Sequence, residues 1–346
     1  MVNALGTKGK INTRGFLDFC AQNAIYLVFI GLIILIFLKE PSFLRLENFR
    51  NILAMSATRI IFAMGMSAIL ITGGVDLSCG RMVGLAAVLS ASLLQSLEYS
   101  RRMYPDMQEL PLIVPILIAM AACGIFGLIN GFIITKFKVP AFIATLGTMV
   151  AIWGTCSIYF DRPPLGATPI GGIDHRFSYL GTGYIGFDGL YSIPFIVIIA
   201  AFVVFITWVL FNKTTYGKNI YAIGGNAEAA RVSGVNVNRT LIIVYTVAGL
   251  LYGLGGSLEA ARTGGATNSY GNGYELDAIA ACVVGGVSNL GGIGTVPGAV
   301  VGVLIFSVIN YGLTFINLSP YWQQIVKGAI IIAAVALDVR KYLKKR

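Results

Sequence analysis

The stretch ITGGVDLSCG, residues 71–80, places two adjacent glycines and an aspartate between two apolar runs. A second stretch, VVGGVSNLGG at residues 283–292, aligns with it so that the glycine pairs at 73–74 and 285–286 coincide. A Gly-Gly pair interrupts a helix, and the backbone groups it frees must be buried in protein or line a wet cavity. Interrupted helices at corresponding positions point to a transport path. The alternatives are a tight turn at the inner surface and a chance match, because the chain has 42 glycines.

The composition places both stretches in a membrane. Of the 346 residues, 56% are hydrophobic and 12% charged, and the mean hydropathy is +0.80. Soluble domains carry about 25% charged residues. We therefore predict an all-α polytopic membrane protein with about ten crossings, two of them short and broken by glycines. The crossings run over about 21–38, 52–72, 82–97, 112–135, 140–160, 191–211, 240–258, 276–290, 296–316 and 320–337.

The distribution of Lys and Arg sets the orientation, since these residues concentrate on the inner side. With the N-terminus inside, the inner segments contain the acidic residues Asp18, Glu228 and Asp338. The basic residues there are more numerous: Lys8, Lys10, Arg14, Lys136, Lys138, Lys213, Lys218, Arg231, Arg239, Arg340, Lys341, Lys344, Lys345 and Arg346. Both termini are thus predicted to be cytoplasmic, and the net charge of +10 indicates topology rather than nucleic-acid binding.

The same topology divides the chain into three parts. A basic cytoplasmic N-terminus covers residues 1–20, and a basic cytoplasmic tail covers 339–346. A single transmembrane domain spans 21–338 and contains a cytoplasmic loop at 212–239.

The sequence lacks the motifs of metal, disulfide, dinucleotide and ATP-binding sites. The five cysteines are scattered without a CxxC pair, and His175 is the single histidine, so a metal site or a disulfide scaffold is not expected. GTGYIG at 181–186 fits the dinucleotide pattern but lies in a predicted outer loop without a βαβ unit. No GxxxxGK[ST] motif occurs, so the chain is not expected to bind ATP through a P-loop of its own. A membrane-embedded enzyme is disfavoured because the sequence has no His cluster, metal motif or nucleophile elbow.

Charged residues near the breaks are candidates for a translocation path or a gate. Asp76 and Arg81 adjoin the first break, and we expect them to pair with each other. Such a pair either pins the break or lines the path. Glu259 and Asp277 bracket the segment TGGATNSYGNGY at 263–274, which is predicted to be an outer loop. Its Asn, Thr and Tyr side chains could contact a polar solute or a partner protein; the alternative is an ordinary solvated loop.

Two further basic residues, Arg59 and Lys327, lie about two turns inside their helices from the outer end. A long basic side chain snorkels to the headgroups from such a depth, and we expect that here. Four GxxxG spacings predict packing seams within one subunit, with a dimer contact as the alternative. They are Gly80/Gly84, Gly127/Gly131, Gly249/Gly253 and Gly298/Gly302.

GGNAEAARVSGV, residues 224–235, predicts a two-turn polar helix over 227–233 in the inner loop. Asn226 is a good N-cap, Glu228 suits the first turn, and Gly234 is a C-cap glycine. A helix of that length is marginal on its own, so something must hold it. Its alanines keep it slim enough for a cleft in another protein; the alternative is a solvated loop.

Five stretches together resemble the permeases of sugar ABC importers of the ribose/galactose class. They are GGVDLSCG, NGFIITKFKVPAFIATLGT, YGKNIYAIGGNAEAARVSGVNV, YELDAIAACVVGGVSNLGGIGTVPG and YWQQIVKGAIIIAAVALD. The resemblance implies a homodimer in the bacterial inner membrane that imports a monosaccharide, galactose or methyl-galactoside. It also implies two cytoplasmic sugar ABC ATPases, which bind ATP and Mg²⁺, and a periplasmic sugar-binding protein. The chain itself would hold no cofactor.

Within that family the small helix is the coupling helix, which docks into a groove on the ATPase. The residues expected to serve this coupling are Gly225, Asn226, Glu228, Ala230, Arg231 and Gly234. The path or gate residues are Asp76, Arg81, Glu259 and Asp277. The rival hypothesis is an ion-coupled secondary sugar transporter, for which Asp76 would be the intramembrane acid.

Overall fold

The computed structural model describes residues 24–164, 166–186 and 192–343, and nearly all of its regular structure is helical. The predicted N-terminus at 1–20 and the last three residues of the predicted tail lie outside the described residues. The α-helices of the described chain are α1 (Ala24–Lys39), α2 (Leu46–Ile71), α3 (Cys79–Leu93), α4 (Ile113–Lys136), α5 (Ala141–Phe160), α6 (His175–Thr182), α7 (Phe195–Lys213), α8 (Thr215–Gly225), α9 (Ala227–Val232), α10 (Val237–Thr263), α11 (Tyr274–Val284), α12 (Val296–Phe315) and α13 (Pro320–Leu343). A 3₁₀ turn covers Pro41–Leu44, and β1 (Tyr184–Ile185) pairs antiparallel with β2 (Ile193–Pro194).

Six of these helices are long and apolar enough to cross a membrane: α2, α4, α5, α7, α10 and α12. The predicted crossings correspond to α1–α5, α7 and α10–α13, which confirms the all-α polytopic fold. The two crossings predicted to be short are α3, with 15 residues, and α11, with 11. At 1.5 Å per residue neither helix covers the roughly 30 Å of a hydrocarbon core.

Helix α10 lies at the centre of the packing and contacts α2, α3, α4 and α6. Glycines make its approach to α4 close: a Cβ at Gly131 would come within 2.7 Å of the Ile242 Cα. Gly253 is as tightly placed against the Met120 backbone. The GxxxG pairs on α3 and α12 also face backbone of the same chain, so the predicted seams within one subunit are confirmed.

Both Gly-Gly breaks are helix caps of one type. After α2, Gly73 has φ +79°, and the Gly74 amide donates to the Ile69 carbonyl at 3.0 Å. After α11, Gly286 has φ +85°, and the Val287 amide donates to the Cys282 carbonyl at 2.9 Å. This is the Schellman arrangement, which satisfies the last carbonyls of a helix. Gly73 is thus equivalent to Gly286, and the sequence alignment, which matched it with Gly285, is out by one residue.

The loops predicted to lie on the outer side are tied to one another. Ile170 forms a bridge with Ala266, and the Gln95 side-chain amide donates to the Gly171 carbonyl at 2.8 Å. Asp174 caps α6 by accepting from the Arg176 amide at 2.7 Å. Hydrogen bonds from the Arg176 side chain hold the pKa of Asp174 below its usual value. These links fix the C-terminal ends of α3 and α10 and the N-terminal end of α6 relative to one another.

Candidate coupling and translocation site

The small helix predicted in the inner loop is present as α9. The Asn226 side chain accepts from the amides of Glu228 and Ala229, each at 3.0 Å. At the other end Gly234 has φ +87°, and the Val235 amide donates to the Ala230 carbonyl at 3.0 Å. Both ends are therefore capped within the chain, which allows so short a helix to persist.

One face of α9 is packed and the other is open. Ala230 is buried with Ile223 and Val237 in a small apolar cluster. Glu228 and Arg231 form an ion pair at 2.8 Å with their side chains 75% and 56% exposed. Of the residues predicted to serve coupling, Ala230 thus anchors α9 to its own chain, while Glu228 and Arg231 lie on the exposed face.

Helix α8 precedes α9 and was predicted as loop. Its last turn contacts both the end of α2 and the segment that follows α11 and the second glycine break. The Gly292 amide donates to the Ile71 carbonyl at 2.8 Å, which joins the segment after α11 to the end of α2. A Cβ at Gly224 would overlap both of those atoms, and the Tyr221 hydroxyl donates to the Gly294 carbonyl at 2.8 Å. We call this contact of α8 with Ile71 and Gly292 the glycine junction.

Asp76 lies in the extended segment between α2 and α3 and is fully buried. It accepts from the Ser78 amide at 2.8 Å and from the Ser78 hydroxyl at 2.5 Å. Asn130 donates to that hydroxyl at 3.0 Å, and Thr148 donates to Asn130 at 2.7 Å. This chain of hydrogen bonds ties the first break to α4 and α5.

The predicted ion pair between Asp76 and Arg81 is wrong. Among the described residues, Arg81 donates to the Asn272 side-chain carbonyl at 3.0 Å and lies 5.5 Å from the centre of the Trp153 ring. The reason is local: Asp76 is held by Ser78 before the helix begins, whereas Arg81 lies in the first turn of α3, beside the segment that contains Asn272.

The segment 264–273, for which an ordinary solvated outer loop was one of the alternatives, packs along α3. A Cβ at Gly84 would overlap the Tyr270 carbonyl oxygen, and one at Gly80 would overlap the Gly271 carbonyl oxygen and a Glu275 carboxylate oxygen. Helices α3 and α11 therefore begin beside each other, each after a non-helical segment. Non-helical backbone of this kind at membrane depth is tolerated where it is covered by protein or lines a water-filled cavity.

Glu259 and its partners form a buried polar cluster between α2, α10 and α11. Glu259 accepts from the Thr58 hydroxyl at 2.6 Å and from the Arg262 guanidinium at 2.8 and 3.1 Å. The Tyr274 hydroxyl donates to it at 3.3 Å. Both carboxylate oxygens thus have partners, and the cluster links α2, α10 and α11.

Asp277 lies close by and pairs with Lys327 at 3.1 Å. Lys327 was expected to snorkel to the headgroups, but this ion pair joins α11 to α13 instead. Asp277 and Arg59 also line a small pocket with Phe62 and Phe306. The structure therefore brings Glu259 and Asp277 into one region. Asp76 and Arg81 are each held by other groups, Asp76 by Ser78 and Arg81 by Asn272.

Sequence reasoning missed the glycine junction and the partners of the charged residues. The signal for the junction was present, because the Gly-Gly pairs at 73–74, 224–225 and 291–292 all meet there. The spacing of Glu259 and Arg262 also predicts a pair on one helix face. Within the described ranges, no group of three or more His, Cys, Asp or Glu is placed to hold a metal ion.

Comparison with known proteins identifies the class. Residues 48–335 match the family model described as branched-chain amino acid transport system / permease component. The chain belongs to this family of membrane permeases. The match covers most of the chain, including both breaks, the glycine junction and α9.

Individual relatives are more specific. The chain is 52% identical to a galactose/methyl galactoside import permease protein of Haemophilus influenzae, over 95% of this chain and 97% of the relative. It is 51% identical to the protein of that name from Escherichia coli K12, over 97% and 99%. A ribose import permease protein of Bacillus subtilis is 39% identical over 90% and 92%. These relatives confirm the resemblance drawn from the motifs. No solved structure matches.

Proposed function

We propose that this chain is the membrane-spanning subunit of an importer for a neutral monosaccharide, galactose or a methyl galactoside, driven by separate ATPase subunits. The observation that carries the proposal is α9, a capped helix whose charged face is exposed while its other face is anchored beside the glycine junction. The names of the relatives, which match over nearly their full length, support the choice of cargo.

The assembly follows from this role. Two copies of the chain would form the pore in the bacterial inner membrane, with both termini and the 212–239 segment in the cytoplasm. An ATPase subunit, which holds ATP and Mg²⁺, would dock on each α9, and a periplasmic sugar-binding protein would deliver the cargo outside. The chain performs no covalent chemistry in this scheme and needs no catalytic site.

The glycine junction supplies a route for movement. ATP closes the two ATPases, and α9 moves with the subunit docked on Glu228 and Arg231. Because α8 continues into α9, Gly224 moves against Ile71 and Gly292. The two breaks then shift together and change access to the path. In this scheme Asp76 holds the first break, while Arg81, Glu259 and Asp277 belong to the path or its gate.

Reconstitution tests the function directly. Proteoliposomes that contain the permease, its ATPase and its sugar-binding protein should accumulate radiolabelled galactose when ATP is enclosed on the ATPase side. The same vesicles without ATP, given a proton or sodium gradient, should not accumulate it. Uptake by the permease alone under an ion gradient would favour the rival symporter with Asp76 as its acid.

The route has its own test, Gly224→Ala, with Gly31→Ala in α1 as the matched glycine-to-alanine control. A Cβ at Gly224 would overlap the junction, whereas one at Gly31 meets nothing within 4 Å. Forcing a methyl group into a packed contact costs about 1–3 kcal/mol. We expect Gly224→Ala to lower the sugar moved per ATP by about tenfold while Gly31→Ala keeps the wild-type ratio. Equal ratios in the two variants would exclude this route.

A further inference from the structure

The polar side chains around Arg81 lie at membrane depth and are open on one side. Helix α3 ends at the outer loops, where the Leu94 carbonyl accepts from the Asp174 amide at 2.8 Å. At 1.5 Å per residue, Arg81 lies roughly 20 Å along the helix from that end, well inside a core about 30 Å thick. Asn272, the hydrogen-bond partner of Arg81, is exposed, and the Trp153 ring beneath the Arg81 guanidinium is 49% exposed.

This surface is unsuited to lipid. A guanidinium near the centre of a bilayer costs about 2.5–3.5 kcal/mol and in proteins faces the bundle interior or a water-filled cavity. Asn272 belongs to the non-helical segment 264–273, whose backbone carries the same restriction. The side of the subunit that carries Arg81, Asn272 and Trp153 therefore faces water or a second copy across a wet path.

A second polar contact repeats the arrangement one turn further out. The Asn268 side-chain amide donates to the Ser157 hydroxyl at 3.3 Å. Ser157 follows Trp153 by one turn on α5, and Asn268 precedes Asn272 in the segment that runs along α3. Groups of α5 and of 264–273 are thus linked at two successive levels, through Arg81 at the first and by the Asn268–Ser157 hydrogen bond at the second. They make a ladder directed outward from Arg81.

We propose that Arg81, Trp153 and Asn272 form a transient binding site for the monosaccharide on its path, a role that rests on the proposed import function. The ring of Trp153 offers an apolar face for the C–H face of a pyranose. The guanidinium and the amide are planar groups with several N–H donors for ring hydroxyls, and Arg81 uses one of them on Asn272. No charge is needed on the cargo, which suits a neutral sugar. Asn268 and Ser157 extend this site toward the outer side.

The chain provides a matched control for the tryptophan. Trp208 on α7 also lies under a basic side chain, with the Lys213 nitrogen 5.7 Å from its ring centre, but it lies in the last turns of a different helix and has no part in the ladder. Trp153→Ala and Trp208→Ala therefore remove the same side chain from two comparable aromatic–cation contacts.

The experiment compares sugar uptake with ATP hydrolysis in the reconstituted complex. We expect Trp153→Ala and Asn272→Ala to lower galactose uptake about tenfold while ATP hydrolysis continues, and Trp208→Ala to stay within about twofold of wild type. Trp153→Phe should restore most of the uptake, because another aromatic ring restores the stacking face. Wild-type uptake by Trp153→Ala, or failure of Trp153→Phe to rescue, would overturn the proposal.

A direct binding measurement covers the case in which the alanine variants do not assemble. The chain has three tryptophans, so replacing Trp208 and Trp322 by Phe leaves Trp153 as its single tryptophan. Methyl galactoside should change the fluorescence of this purified permease, measured without the ATPase and the sugar-binding protein, and mannitol should not. An unchanged signal overturns the site. If the wild-type complex shows no ATP-driven uptake, it is the import function that fails, and the fluorescence measurement still decides the site.

Discussion

Two Glu–Arg pairs with the same spacing lie in opposite parts of the molecule. Glu228 and Arg231 pair at 2.8 Å on α9, with side chains 75% and 56% exposed. Glu259 and Arg262 pair at the same distance on α10, with side chains 2% and 25% exposed. The local sequence geometry is identical, but the surroundings differ. The buried pair is part of the fold, whereas the exposed pair contributes little to stability and is available to a partner.

The largest expected effect is on the buried pair. Glu259→Ala leaves Arg262 without its carboxylate and removes the acceptor of Thr58. Breaking a buried pair by removing one partner costs about 3–5 kcal/mol. We expect a large drop in the midpoint of thermal unfolding in detergent. Glu228→Ala is the matched control and should leave the midpoint nearly unchanged. Equal shifts in the two variants would refute the contrast.

A smaller effect is expected at the cap that holds the exposed pair in place. Asn226→Ala removes the acceptor of two α9 amides, and loss of an N-cap costs about 1 kcal/mol. We expect faster hydrogen exchange confined to α9, measured by mass spectrometry, with α10 unaffected. Exchange in α9 at the wild-type rate would show that α9 is held by Ala230 alone.

The smallest effect is on the exposed pair itself. A double-mutant cycle of Glu228→Ala and Arg231→Ala should give a coupling energy of about 0.5 kcal/mol or less, typical of an exposed helical pair. Chemical denaturation of the purified permease measures it. A coupling energy of several kcal/mol would mean that the exposed pair on α9 stabilises the fold, which would contradict the contrast between the two pairs.

Much of this arrangement was predictable because its signals are local. The caps of α9 depend on Asn226 and Gly234, whose roles follow from neighbouring backbone groups. The seam between α4 and α10 follows from small residues at helical spacing. The short α3 and α11 follow from Gly-Gly pairs in apolar sequence. In each case the residues that make the structure are within a few positions of one another.

What the sequence did not predict depends on contacts between distant segments. Arg81 and Asn272 are far apart in the chain, so nothing local distinguishes that pairing from Arg81 with nearby Asp76. Lys327 and Asp277 are likewise distant in the chain, and their ion pair joins two different helices. Helix α8 was missed because it is short and polar on one side, and the position that matters most, Gly224, is defined by Ile71 and Gly292.

The central claim is that the exposed face of α9 is where the ATPase acts, and Glu228→Arg tests it most directly. The measurement is co-purification with the ATPase together with ATP-driven sugar uptake. Glu98→Arg, the same reversal at an exposed residue of the predicted outer side, is the control for ATPase association. We expect Glu228→Arg to fold normally, to lose the ATPase and to abolish uptake, while Glu98→Arg keeps the ATPase. Retention of both association and uptake in Glu228→Arg would contradict the account.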